Sequence, residues 1–178
     1  MPRFQRFAWA IGAAALLATA TGCTLGDPEQ LDPSGTASIS AVGIPDACSL
    51  LTAEQLEAAT GHDFAPGSIN ADQSDINVSQ CDWFTADGGD YPAAVVHVAK
   101  PDFTVAEQRD AADNFFGSTA DADVPGGIDA FVTKGGQHVG MAVGPYWVMV
   151  SFAEDSTADL TDQTTELARA VAAALTAD

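Results

Sequence analysis

Positive charge is scarce in this chain: six Lys and Arg stand against 25 Asp and Glu among 178 residues. Affinity for phosphate backbones comes from clustered cations, so this composition argues against a nucleic-acid partner. Anionic membrane surfaces and acidic wall polymers should be repelled as well. Catalytic signatures are also missing. The chain has no Gly-x-Ser-x-Gly elbow, no His-Glu-x-x-His, no Cys-x-x-Cys, no phosphate-cradling glycine loop and no EF-hand spacing. Internal repeats and low-complexity runs are absent, and beyond the first twenty or so residues no segment approaches the length and apolarity of a spanning helix. Cysteine is rare too, with three in all: Cys23, Cys48 and Cys81.

The N-terminal stretch is built from ordinary export parts. Arg3 and Arg6 form a short positive region, and Phe7 to Ala20 form an uncharged apolar run. A run of that length is short of the about 20 apolar residues a permanent spanning helix needs, so residues 1–22 read as a signal peptide. Two processing sites compete. Ala18-Thr19-Ala20 fits the small-x-small pattern of ordinary signal peptidase, whereas Ala20-Thr21-Gly22-Cys23 resembles a bacterial lipobox with Ala where Leu is commoner. Cysteine arithmetic favours the second, because lipidation of Cys23 leaves an even pair in an oxidising compartment. The expectation is a protein anchored by lipid at Cys23 on the extracytoplasmic face of the cell membrane. Several acyl chains at about 0.8 kcal/mol per buried methylene hold such a protein stably.

Residues 23–45 carry Pro28, Pro33, Gly35 and scattered Ser and Thr without an apolar period, which is tether composition. A flexible tether of about 22 residues reaches about 26 Å. Leu31 and Ile39 are the residues within it able to dock on a folded domain. Residues 46–178 form one globular domain by length. After removal of the leader, four basic residues (Lys100, Arg109, Lys134, Arg169) face 25 acidic ones, a net charge of −21.

Local patterns then predict the elements. Thr52-Ala53-Glu54-Gln55 is a capping box opening a short helix that Gly61 ends. Gln80 to Ala86 and Tyr91 to Lys100 read as a hairpin turning at Asp87-Gly88-Gly89-Asp90, with a weak strand near Ser68 to Asn70. A second capping box, Thr104 to Glu107, opens a helix whose stripe is Val105, Arg109, Ala112 and Phe116. Asp129 to Lys134, Gln137 to Val143 and Tyr146 to Ala153 read as a meander, and Leu160, Thr164, Leu167, Val171 and Leu175 mark a last helix. In the last strand both faces are apolar, which predicts cover on both. The fold class expected is α+β, an antiparallel sheet of five to six strands flanked by helices.

Cys48-Ser49-Leu50-Leu51-Thr52 before a capped helix, Cys81-Asp82-Trp83 at a strand start, and an alanine-rich last helix together resemble the actinobacterial lipoproteins grouped as domain of unknown function 3558. The resemblance covers roughly residues 46–177. It implies an envelope lipoprotein with a PsbP-like α/β sandwich and no established activity, and it supplies no catalytic residues.

Candidate chemistry is sparse. His62, His97 and His138 lie apart in sequence, Ser49 and Ser151 show no local activation, and Asp121 with Asp123 reads as a solvated acidic loop. No catalytic residue, metal ligand or cofactor site is expected. Trp83 shares strand parity with Cys81 and is expected to pack on a Cys48–Cys81 disulfide, with two buried free thiols as the alternative. Trp147 is expected in the core beside Met149. The function expected is a monomeric, non-catalytic binding or interaction module for an envelope protein, and the second reading is a carrier of a lipid or other apolar small molecule. A hydrolase ranks third. An apolar cavity of several hundred Å³ would favour the carrier, and convergent polar groups with shifted pKa values would favour the enzyme.

Overall fold

The computed structural model describes residues 43–177. Asp46 accepts a bond from the Cys48 N–H at 2.9 Å and opens a one-turn 3₁₀ helix, Ala47–Ser49. Helix α1, Ala53–Thr60, begins with the expected capping box, in which Thr52 and Gln55 each satisfy the other's backbone N–H. Gly61 ends it at φ 77°, a left-handed cap that glycine adopts without a Cβ clash.

The strands are β1 (Ser68–Ile69), β2 (Val78–Phe84), β3 (Ala93–Ala99), β4 (Thr119–Asp121), β5 (Ile128–Thr133), β6 (His138–Val143) and β7 (Tyr146–Ala153). Helices α2 (Val105–Phe116) and α3 (Thr161–Thr176) complete the chain. All seven strands form one antiparallel sheet in the order β1-β2-β3-β7-β6-β5-β4. The α+β class stands, and the strand number is corrected from five or six to seven. The unforeseen strand is β4, inside the stretch read as an acidic loop. Three residues of Thr-Ala-Asp carry no readable alternation, and the strand is fixed from outside. Arg109 on α2 donates to Thr119 Oγ1 at 2.9 Å and to Asp121 Oδ1 at 2.6 Å while β5 supplies the ladder.

Pairing defines two faces. On the first, Cys81, Trp83, Val96, Val98, Val139, Val148, Val150 and Phe152 are essentially inaccessible, packed beneath Leu56 of α1 and Leu167, Ala168, Val171 and Ala172 of α3. Burying each such side chain is worth about 1.5–3 kcal/mol, so this layer supplies most of the fold's stability. The docking of α3 depends on Gly136, where an added Cβ would lie 2.0 Å from the Thr161 nitrogen. Edge strands β1 and β4 are two and three residues long, which limits their use as templates for a further chain.

The second face departs from expectation. Helix α2 packs on β4, β5 and β6 and leaves the β2–β3–β7 half without a covering element among the described residues. Gln80, Asp82, Val95, His97, Met149 and Ser151 are half-buried there. The expected double cover therefore holds for only part of β7. Its second face carries Trp147, Met149 and Ser151, a mixture that tolerates partial solvent where the wholly apolar face of Val148, Val150 and Phe152 does not.

Among the described residues, Ile44 is 8% exposed and packs in the core, and Tyr146 Oη donates to the Gly43 carbonyl at 3.1 Å. The leader, Cys23, and the tether up to residue 42 lie outside the described residues. No helix among the described residues is long and apolar enough to cross a membrane.

Candidate functional site: a groove between α2 and the half-open sheet face

The site grows from one glycine. Across the second face the register sets Gln80, His97, Met149 and Gly140 in a row, with Phe131 opposite Gly140. A Cβ at Gly140 would lie 2.6 Å from Trp147 Cη2 and 2.7 Å from Phe131 Cζ, so both rings close over the space a side chain would fill. They stack at 6.1 Å between centroids, and Phe103 meets Trp147 edge-on at 6.0 Å. Helix α2 faces this aromatic floor with Gln108, Ala111, Ala112, Phe115 and Phe116. Two alanines hold the wall back, and a cavity of about 290 Å³ opens between helix and sheet. Phe115 is 83% exposed at its mouth, stacked edge-on against Phe116 at 4.9 Å. A second cavity of about 600 Å³ shares Gln108, Trp147 and Met149 with the first and extends over the open half-face to His97, Lys100 and Asp102.

The polar groups of this face are tied to one another. Asn70 Nδ2 and Gln80 Nε2 donate to the two oxygens of Asp82, at 2.6 and 3.0 Å, which turns Gln80 Oε1 toward His97 Nδ1 at 3.4 Å. An ionised carboxylate only accepts, so Asp82 fixes the Gln80 amide. That amide in turn assigns the proton to His97 Nδ1 and leaves Nε2 as an acceptor. Burial pushes the His97 pKa below its ordinary value, and the same cause acts on His138. His138 Nδ1 lies 2.8 Å from Ser151 Oγ, and its ring packs on Phe116 at 4.4 Å.

A serine beside a histidine invites a test for nucleophilic chemistry. Activation requires the base to be oriented by a third group, and no carboxylate bonds the His138 ring among the described residues. Ser151 sits mid-strand in β7, between the ladders of β3 and β6. The pair is a polar contact beside the Phe116 ring.

The other residues singled out from sequence fall elsewhere. Cys48 and Cys81 form the disulfide, with Cα atoms 5.0 Å apart. Trp83 is 1% exposed on the same face, and Gly67 lies over both, since its Cβ would come within 2.5 Å of the indole and 2.7 Å of Cys81 Sγ. Ser49 caps its own turn by donating to the Asp46 carbonyl. His62 Nε2 meets Glu154 Oε2 at 3.1 Å, away from the groove, and hydrogen bonds from Ser156 and His62 hold that carboxyl below its usual range. Asp121 and Asp123 are solvated as read, yet each pairs with an arginine, Arg109 at 2.6 Å and Arg169 at 3.6 Å. Near them lies an open depression of about 730 Å³, which is acidic and includes Asp159, Asp162 and Glu166. No group of three or more His, Cys, Asp or Glu placed to hold a metal occurs among the described residues.

The sequence reading missed Phe115 and the groove. The available signal was Phe115 itself, a large apolar residue lying off the Val105–Ala112–Phe116 stripe of an otherwise acidic helix. No family model, curated protein or solved structure matches the chain.

Proposed function

We infer that the protein is a lipid-anchored envelope lipoprotein, tethered through Cys23, that acts without catalysis as a binding module whose working surface is the groove beside α2. One observation carries the binding surface: an aromatic-lined, open groove fronted by Phe115, a phenylalanine that makes almost no use of its ring within the fold. The anchor rests on the charged start, the apolar run and the odd cysteine count of the sequence. The resemblance to the actinobacterial lipoproteins of domain of unknown function 3558 belongs to the same reading.

A second reading, binding of a small apolar molecule, draws on the same cavity. Its volume of about 290 Å³ stands at the lower end of ligand pockets, about 300–1,000 Å³. Against a carrier role, the space is an open groove on the sheet surface, while the layer between the first face and helices α1 and α3 is filled by side chains.

Site-directed photo-cross-linking in producing cells tests the main reading. Benzoylphenylalanine at position 115 should give a discrete protein adduct, and the same group at the exposed Glu57 on α1 should not. Equal adducts from both positions, or none from position 115, overturn the groove as the binding surface. The anchor is checked separately by mass spectrometry of the membrane fraction, where an unlipidated mature protein beginning at Thr21 would contradict it.

A further inference from the structure

We propose that the uncovered half of the second sheet face is filled by this chain's own residues 37–42, with Ile39 seated between Val78 and His97. This goes beyond the binding-module reading and holds whether or not a partner occupies the Phe115 end of the groove. Gly43 accepts a hydrogen bond from Tyr146 Oη at 3.1 Å, and a Cβ built on it would lie 3.4 Å from Lys100 Nζ. Lys100 itself lines the cavity of about 600 Å³ that opens over the half-face. The chain preceding Gly43 therefore starts from the rim of the surface that lacks cover. His97 stands three residues from Lys100, about 10 Å along the strand, and the four extended residues from Gly43 back to Ile39 span about 13 Å.

The lining and the segment match in charge and in pattern. The cavity carries one charge of each sign, Lys100 and Asp102, which attracts neither a cation nor an anion on balance. Residues 34–42 are uncharged, whereas Asp27, Glu29 and Asp32 precede them in a chain rich in acids. Ala37, Ile39 and Ala41 alternate with Ser38 and Ser40, the period of two that gives an extended segment one apolar and one polar side. The half-face also holds an unused acceptor. His97 Nε2 bonds no donor among the described residues, and a backbone N–H of an extended segment supplies one. Docking within one chain needs little area, because a link of a few residues sets an effective concentration on the order of millimolar. Seated at the β2–β3 end, the segment leaves Gln108, Trp147 and Met149, which also line the cavity at Phe115, to the partner.

The test uses the purified mature chain carrying benzoylphenylalanine at position 39 or, as a control, at position 31. After irradiation, position 39 should give an adduct within one chain that maps by mass spectrometry to residues 77–80 or 97–100, and position 31 should not. A second measurement follows acylation of the histidines by diethyl pyrocarbonate. His97 should react several-fold faster in Ile39→Asp than in the unaltered chain or in Ile39→Leu, while His62, whose side chain is 39% exposed, reacts equally in all three. No adduct from position 39, an adduct joining two chains or mapping to other elements, or the same adduct from position 31 overturns the proposal. Equal His97 rates in all three chains overturn it as well. The position-115 cross-link in cells is read independently, so failure of the segment leaves the binding reading in place, and loss of that cross-link leaves the segment's docking untouched.

Discussion

At the scale of single residues, two different rules of burial are visible. Gly140, Gly136 and Gly67 are positions where absence of a side chain lets a ring or a helix start approach the backbone closely. Thr164 is the opposite case, fully buried on α3 with a hydroxyl that has no hydrogen-bond partner. A buried unpaired hydroxyl costs about 1–3 kcal/mol, so Thr164→Val, which keeps the shape, should stabilise the domain by about 1 kcal/mol in urea unfolding. His97 and His138 make the pH prediction. Both have pKa values lowered by burial, so the unfolded chain, titrating near 6.5, binds protons more readily than the folded one. Their contribution is complete above about pH 6.5 and is lost as pH falls below it toward the folded values. Carboxyls held low by hydrogen bonds, such as Glu107 and Asp159, act in the same direction only nearer pH 4. Stability measured between about pH 7 and 5 should therefore decline, and His97→Gln with His138→Gln should flatten that decline.

At the scale of elements, what could be read from sequence was what is encoded locally. Both capping boxes, the αL glycine after α1, the meander and the last helix have signals contained within a few residues, and each formed where expected. β4 and the uncovered half-face did not announce themselves, because each is decided by distant partners. β4 exists through Arg109 and β5, and the extent of cover depends on where α2 lies across the sheet. The alternation Trp147, Met149, Ser151 showed that β7 has a second apolar face but not that its neighbours there would be His97 and Gln80. Helix α2 is capped at its start, where Thr104 and Glu107 satisfy each other's backbone groups. Thr104→Ala should cost about 1 kcal/mol, with amide exchange rising in α2 and not in α3. If protection falls equally in both helices, α2 is not the separable wall described here.

At the scale of the whole molecule, the division of labour lies between the sheet faces. The first is stapled as well as packed, since the Cys48–Cys81 bridge closes a loop of 33 residues onto β2. Loop-closure entropy for that length corresponds to about 3–4 kcal/mol. Replacing both cysteines by Ala should lower the urea midpoint accordingly and leave the groove's binding behaviour unchanged in the folded fraction. The disulfide was legible because cysteine counting needs no coordinates. The groove was not, because its walls come from β5, β6, β7 and α2, and from two alanines and a glycine whose smallness has no signature in a single sequence.

The central claim is that the groove is the occupied surface in the cell, and covalent footprinting measures this directly. Hydroxyl radicals oxidise exposed aromatic and thioether side chains, so Phe115, Phe116 and Met149 can be compared between the purified chain and intact cells, with Tyr91 as an exposed reference on the far side of the β2–β3 turn. The account predicts that Phe115 and Met149 are oxidised several-fold less in cells while Tyr91 reacts equally in both. Equal oxidation of Phe115 and Met149 in the two settings would contradict it.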